Sequence, residues 1–247
     1  MTDFRAWVAT LPPMAGRVHV TPGAVAEIVI DHPESKNALD PHMMVALADA
    51  VDTVGNARAI VLRGEGTAFC SGGNLKHVRD HLATPGAGAV FRAFMKDALD
   101  RLLAVDGIVI AAVNGFALGG GAELAASCDI VHASPLARIG FVHAKLGVSP
   151  GFGGGQRLVR RVGPLRALRL MVDPELLSAA DALALGLFDA VTDDPVVSAH
   201  ALATRIASLS PEAVRAAKRI AFGGEAAEEA AFAELWGGPA HRSALER

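Results

Sequence analysis

The hydrophobic and polar positions along the chain sort into short apolar runs and helically spaced stretches. RVHVTPGAVAEIVIDHP, residues 17–33, reads as two strands around Pro22-Gly23, a hairpin-type turn. The next stretch, to about residue 54, spaces its apolar residues helically, with Asp40 as N-cap and Pro41 at the first helical position. ARAIVLRG (57–64) and GIVIAAVNG (107–115) are apolar runs of strand length and predict buried strands. VFRAFMKDALDRLLAV (90–105) is an amphipathic helix with apolar positions three and four apart. Polar residues dominate 77–88, which predicts a mobile lid or loop tip. A strand around ARIGF (137–141) follows, and from 156 the pattern is helical. Ser178 caps one helix that Gly186 stops, with the short strand LFDAVT behind it, and Ser210 with Pro211 opens another helix. Strand–helix alternation up to about residue 193 predicts one α/β core, residues 1–193, followed by a helical C-terminal segment, residues 194–247.

Composition narrows the function classes. With 51% hydrophobic and 20% charged residues, the 247-residue chain can bury a sizeable core. Formal net charge is −3 and no basic stripe is present, so a nucleic-acid partner has no electrostatic support. Cys70 and Cys128 form neither a disulfide framework nor a metal-ligand pattern and read as buried thiols. The N-terminus lacks the charge-then-apolar pattern of a secretory signal, and no apolar run reaches membrane-spanning length. The expected location is cytoplasmic. Of the nine histidines, only His77 and His81 stand at a metal-like spacing, and a solvated helix face accounts for that pair more simply.

Two glycine-marked segments carry the candidate chemistry. In GFALGGGAELAASCDI (115–130), consecutive glycines before a helix leave free backbone N–H groups at its N-terminus. They suit either a developing negative charge or close backbone packing. Glu123 sits in the first turn with apolar flanks, as a macrodipole partner or as a candidate for proton transfer. The second segment, CSGGNLK (70–76), offers a further free N–H near Gly73. Two donors from separate loops meeting on one oxygen would stabilise a thioester enolate. His143 lies in GFVHAKLGVSPGFGGG (140–155), a stretch with no carboxylate of its own. It is either a satisfied core residue or a group at the mouth of a glycine loop.

Taken in order, HPESKNALD, GTAFCSGGNLK, IAAVNGFALGGGAELAASCDI, LGVSPGFGGGQRLVRRVG, LSAADALALGLFDAV and SPEAVRAAKR resemble the enoyl-CoA hydratase/isomerase (crotonase) superfamily over roughly residues 17–220. The resemblance implies the ClpP/crotonase-like α/β fold, a spiral of β-β-α turns, and trimers or dimers of trimers. It also implies an acyl-CoA thioester substrate and no metal or redox cofactor. Carried onto this chain, the oxyanion hole is the backbone N–H of Gly73 and of Gly120. The 3′-phospho-ADP end of coenzyme A is expected near Lys36, Ala38 and the loop Ser71–Lys76, including Asn74 and Leu75.

Glu123 falls where hydratases carry the first of two catalytic glutamates, and His143 stands where the second is expected. Asn74 replaces an aspartate common in the family. Hydration needs both a base for water and an acid for the α-carbon, roles that paired carboxylates serve together. The histidine therefore weakens that reading. FVH at 141–143, ALGGGAE, FRAFMKDALDRL and WGGPA at 236–240 resemble the ethylmalonyl-CoA decarboxylase type within the superfamily. That resemblance implies loss of CO2 from a 2-carboxyacyl-CoA, with Glu123 and His143 as catalytic residues. A charged Glu123 would repel the substrate carboxylate, so it is expected to be protonated or to point away. The alternatives are an enoyl-CoA hydratase or isomerase, and a catalytically silent CoA-ester-binding paralogue.

Overall fold

A computed structural model describes residues 3–82 and 84–246. Among these residues ten strands form two sheets, and from β3 to β8 successive strands alternate between them. The larger sheet contains β1 (Arg17–Thr21), β2 (Val25–Asp31), β3 (Ala59–Gly64), β5 (Ile108–Val113), β7 (Ile130–Ala133) and β10 (Ala190–Val191), in the order β1-β2-β3-β5-β7-β10. The smaller one contains β4 (Ala68–Cys70), β6 (Phe116–Leu118), β8 (Arg138–Gly140) and β9 (Leu177–Ser178), in the order β4-β6-β8-β9. Among the described residues, only the β1–β2 hairpin and the β8–β9 pair are antiparallel. The pairs β3/β4, β5/β6 and β7/β8 each lay one strand in each sheet before a helix, which is the expected spiral of β-β-α turns.

The helices are α1 (Phe4–Val8), α2 (Pro41–Thr53), α3 (Leu75–His77), α4 (Pro85–Ala104), α5 (Gly120–Ala126), α6 (Gly154–Val162), α7 (Pro164–Val172), α8 (Ala179–Ala184), α9 (Pro195–Ala207), α10 (Pro211–Leu235) and α11 (Pro239–Leu245). Asp40, Ser178 and Ser210 cap α2, α8 and α10 through their side chains, each accepting a backbone N–H of the first turn. Of the stretch 77–88, expected to be a mobile lid or loop tip, residues 77–82 and 85–88 are helical instead. Val78–Leu82 is a π-helical turn, and α4 starts at Pro85 under a Thr84 cap. Leu82 and Ala87 are buried, and they fasten this polar-looking segment to the core. Ala83 lies outside the described residues.

The central strands are buried on both faces because their alternate side chains enter two different cores. Ile60, Leu62, Val109, Ala111 and Val113 join the main cluster with α2, α4 and α5. Ala59, Val61, Ile110 and Ala112 face the other way and pack on Ala199 and Ala203 of α9. The small residues there let the helix lie close on the sheet. Among the described residues, no helix is long and apolar enough to cross a membrane.

Lys218 fastens α10 to the end of the large sheet. Its Nζ donates to Val105 O (2.9 Å), Gly107 O (3.0 Å) and Asp129 Oδ2 (2.8 Å), and both members of the ion pair are almost wholly buried. Asp129 Oδ2 also accepts an N–H of β5, from Val109, at 2.8 Å. Removing the cation leaves a buried carboxylate uncompensated. Lys218→Met is expected to destabilise the protein by about 3 kcal/mol, and adding Asp129→Asn to restore part of that loss. Thermal melts check this, since each kcal/mol is worth roughly 2–4 °C for a domain of this size; equal melting temperatures for Lys218→Met and the parent would contradict it.

Candidate active site

Three loops meet at the start of α5. The first is 71–74, held against residue 39 by an isolated parallel bridge between Leu39 and Gly73. That bridge uses the Gly72 carbonyl, which accepts from Leu39 N at 2.8 Å, and the Asn74 N–H, which donates to Leu39 O at 2.9 Å. In parallel pairing the intervening N–H points to the other side, so Gly73 N–H faces away from residue 39. The second loop ends β6 at Gly119, whose φ of +52° turns the chain into α5. Gly120 is the first helical residue, and its N–H has no acceptor within the helix. The two loops touch: a Cβ on Gly72 would lie 2.8 Å from Leu118 O and 3.1 Å from Gly120 N. Backbone donors from both loops are thus on neighbouring strands of chain.

The third loop, 147–154, closes around Glu123. This carboxylate is 1% exposed, and four partners surround its two oxygens. Oε1 accepts from Gly151 N at 3.1 Å and lies 2.9 Å from His143 Nε2. Oε2 accepts from Phe152 N and Gly154 N, both at 2.8 Å. A Cβ on Gly154 would stand 2.2 Å from Glu123 Cγ, so the loop wraps this tightly only with glycine there. The stretch 140–155 has no acid because it closes on one supplied by α5. The Glu123 side chain points into the loop, where three backbone N–H groups offset its charge.

His143 lies in a 3-10 turn, Val142–Leu146, and is buried. Its Nε2 faces Glu123, and its Nδ1 is buried with no hydrogen-bond partner. The imidazole is also next to the Gly119–Gly120 turn, since a Cβ on Gly119 would lie 3.9 Å from Nε2. Glu123 and His143 thus sit beside the Gly119–Gly120 turn.

The candidate coenzyme A residues form a neighbouring strip. Ser71 N donates to Lys36 O (3.0 Å) and Ser71 Oγ to Ser35 O (3.2 Å), which joins the 71–76 loop to the 36–38 turn. Lys36 is exposed at a φ of +52°, its Nζ 5.1 Å from the Phe116 ring centroid; Ala38 is half-buried beside it. Asn74 caps α3, its Oδ1 accepting from Lys76 N and His77 N, while Leu75 and Lys76 are exposed. The cap is a physical reason for asparagine at this position.

Two supporting residues escaped the reading of the sequence. Asn37, buried at a φ of +56°, accepts from His32 N at 2.8 Å and donates to Glu65 O and Ala68 O at 2.9 and 2.7 Å. It shapes the 36–39 turn. Arg157, buried in α6, donates to Phe152 O (2.5 Å) and to Asp100 Oδ1 (2.7 Å), tying the third loop to α4. Burial pulls its guanidinium below the usual range, against the attraction of Asp100 and Glu123. Burial also pushes Cys70 and Cys128 up to about 12, so neither is a nucleophile at neutral pH. His77 and His81 stack at 6.2 Å; among the described residues, no group of three or more His, Cys, Asp or Glu could hold a metal ion.

Comparison with known proteins agrees with this architecture. The profile of the family described as enoyl-CoA hydratase/isomerase matches residues 21–231. The chain is 37% identical over 199 residues to a probable enoyl-CoA hydratase of Mycobacterium tuberculosis, covering 78% of this chain and 76% of the relative. It is 33% identical over 241 residues to an ethylmalonyl-CoA decarboxylase of Gallus gallus, covering 89% and 79%. Among solved structures, an enoyl-CoA hydratase from Bacillus anthracis superposes with a TM-score of 0.85 at 28% identity, over 93% of this chain and 94% of that one.

If the Glu123 carboxylate holds the third loop, Glu123→Gln turns an amide N–H2 toward at least one backbone N–H. The expected loss is about 1–3 kcal/mol, and Glu123→Ala, which orphans three N–H groups, is expected to lose more. Melting temperature and amide hydrogen exchange at 151, 152 and 154 measure this. Unaltered exchange in the alanine variant would show that something else holds the loop.

Proposed function

The chain belongs to the enoyl-CoA hydratase/isomerase family, and within it we propose that the protein decarboxylates a 2-carboxyacyl-CoA, ethylmalonyl- or methylmalonyl-CoA, through a thioester enolate. The observation that carries this reading is the state of Glu123. Both of its oxygens are taken by the third loop and His143, so it is not free to activate a water. The site then has an imidazole with one buried, unpartnered nitrogen where hydratases are expected to carry a second carboxylate.

Decarboxylation suits such a site because no nucleophile has to be generated. The thioester carbonyl accepts from Gly73 N–H and Gly120 N–H. These donors favour the carboxylate leaving as CO2, since the electron pair of the breaking C–C bond moves into the enolate they stabilise. His143 enters the cycle with a proton on each ring nitrogen. Nε2–H donates to Glu123, and Nδ1–H holds the substrate carboxylate out of the thioester plane. After CO2 departs, the Nδ1 proton passes to the α-carbon and solvent restores it. Glu123 orients the imidazole and offsets its charge, much as an acid orients the base in a catalytic triad. The match to the Gallus gallus decarboxylase, which covers more of the chain than the match to the mycobacterial hydratase, supports the same reading.

Coenzyme A is proposed to lie along Lys36, Ala38 and the Ser71–Lys76 loop, with the main-chain groups of the two joined turns doing most of the binding. Assembly as a homotrimer or a dimer of trimers is proposed too. Its support is the apolar stripe Leu165, Leu168 and Val172 on α7, which stands exposed at spacings of three and four residues.

Incubation with ethylmalonyl-CoA, followed by mass spectrometry of the thioester, tests the activity. The expected product is butyryl-CoA, with a loss of at least about a hundredfold in His143→Ala while circular dichroism stays unchanged. No CO2 from ethylmalonyl- or methylmalonyl-CoA, together with hydration of crotonyl-CoA, would replace this reading with a hydratase. Binding of CoA esters without any turnover, and indifferent to His143→Ala, would make the protein a silent paralogue.

A further inference from the structure

A column of aromatic rings runs from the candidate oxyanion glycine to the N-terminal helix. Its inner end is Phe152, which is buried and lies edge-on against Gly120: a Cβ on Gly120 would be 2.5 Å from Phe152 Cε2. Phe91 of α4 meets Phe152 edge to face, with centroids 5.3 Å apart and planes at 80°. Phe4 of α1 follows, 6.0 Å from Phe91 and stacked on Phe94 at 4.7 Å. Phe4 is buried, although it sits within the first few residues of the chain. Its helix is fastened from both sides: Asp3 caps it through Arg5 N and Ala6 N, and Arg5 pairs with Asp49 of α2 at 2.6 Å.

We propose that this column is the far wall of the acyl pocket and restricts the enzyme to short acyl groups of ethylmalonyl or methylmalonyl size. The inference rests on the acyl-CoA reading of the Gly120 N–H. A thioester carbonyl held there places the first carbons of its acyl group beside Phe152. A longer chain would have to displace buried and half-buried rings packed on one another, each of which holds far more apolar contact than one methylene brings. The N-terminal helix is then a specificity element, because Phe4 backs the ring that backs Phe152.

Binding of unreactive saturated thioesters tests this independently of turnover. Dissociation constants of acetyl-, butyryl-, hexanoyl- and octanoyl-CoA would be measured by calorimetry for the parent protein, Phe91→Ala, Phe4→Ala and the milder Phe91→Leu. In the parent, affinity is expected to rise from acetyl to butyryl and then to fall at least tenfold by octanoyl. In the Phe91 variants hexanoyl-CoA is expected to bind at least as tightly as butyryl-CoA, with each admitted methylene worth roughly fourfold. Phe4→Ala, which removes only the ring behind Phe91, should give a smaller gain for hexanoyl-CoA than the Phe91 variants. A parent that binds octanoyl-CoA as tightly as butyryl-CoA would overturn the proposal. So would an unchanged length profile in variants that keep the parent's butyryl-CoA affinity. A length profile as expected without CO2 release from ethylmalonyl-CoA would leave the wall in place and remove only the decarboxylase reading.

Discussion

The Glu123 carboxylate is the point on which the site depends. Three backbone N–H groups from a loop some thirty residues away converge on it, together with one imidazole nitrogen. A loop of glycine and proline has little side-chain contact with which to order itself, and ordering each residue costs about 1–2 kcal/mol. A buried charge satisfied by several N–H donors is among the stronger local ties available to it. The same tie that shapes the loop also sets the orientation of His143. Structure and chemistry are therefore coupled through one side chain.

The fold supplies the means for that coupling. Because the strands from β3 to β8 alternate between two sheets, β4 and β6 end side by side and deliver their glycine turns to neighbouring places. Gly72, Gly120 and Gly154 sit where a Cβ would strike, respectively, the neighbouring turn, Phe152 and Glu123. Arg157 then closes the far side of the third loop against α4. The helix that carries the phenylalanines is thereby fixed relative to the carboxylate. Backbone approach, not side-chain variety, makes this site compact.

Much of the architecture was legible in the sequence because its signals are local. Pro22-Gly23 marked the hairpin, the apolar runs marked β3 and β5, and cap-then-proline pairs marked α2 and α10. The same pair, Thr84-Pro85, opens α4, but the polar residues around it suggested a loop, and the burial of Leu82 and Ala87 decided otherwise. Glu123 and His143 were legible as candidates from their flanks and from the family resemblance. Their contact was not, because the N–H groups of Gly151, Phe152 and Gly154 leave no mark in side-chain identity. Arg157 was hidden for another reason: in the cluster RLVRRVGPLRALR it looks like any dispersed surface cation, and only its burial separates it from its neighbours. Asn37 was read as part of a motif without its role, which is to hold three backbone groups from β2's end, β4 and the turn between β3 and β4.

A double-mutant cycle on decarboxylation tests the central claim most directly. It compares kcat/KM for the parent, Glu123→Gln, His143→Ala and the double variant. If Glu123 acts through the imidazole it orients, the double variant should lose no more than the more damaging single one, the non-additivity of residues that work as a unit. Losses that multiply would mean that the carboxylate and the imidazole act separately, and would contradict the account given of this site.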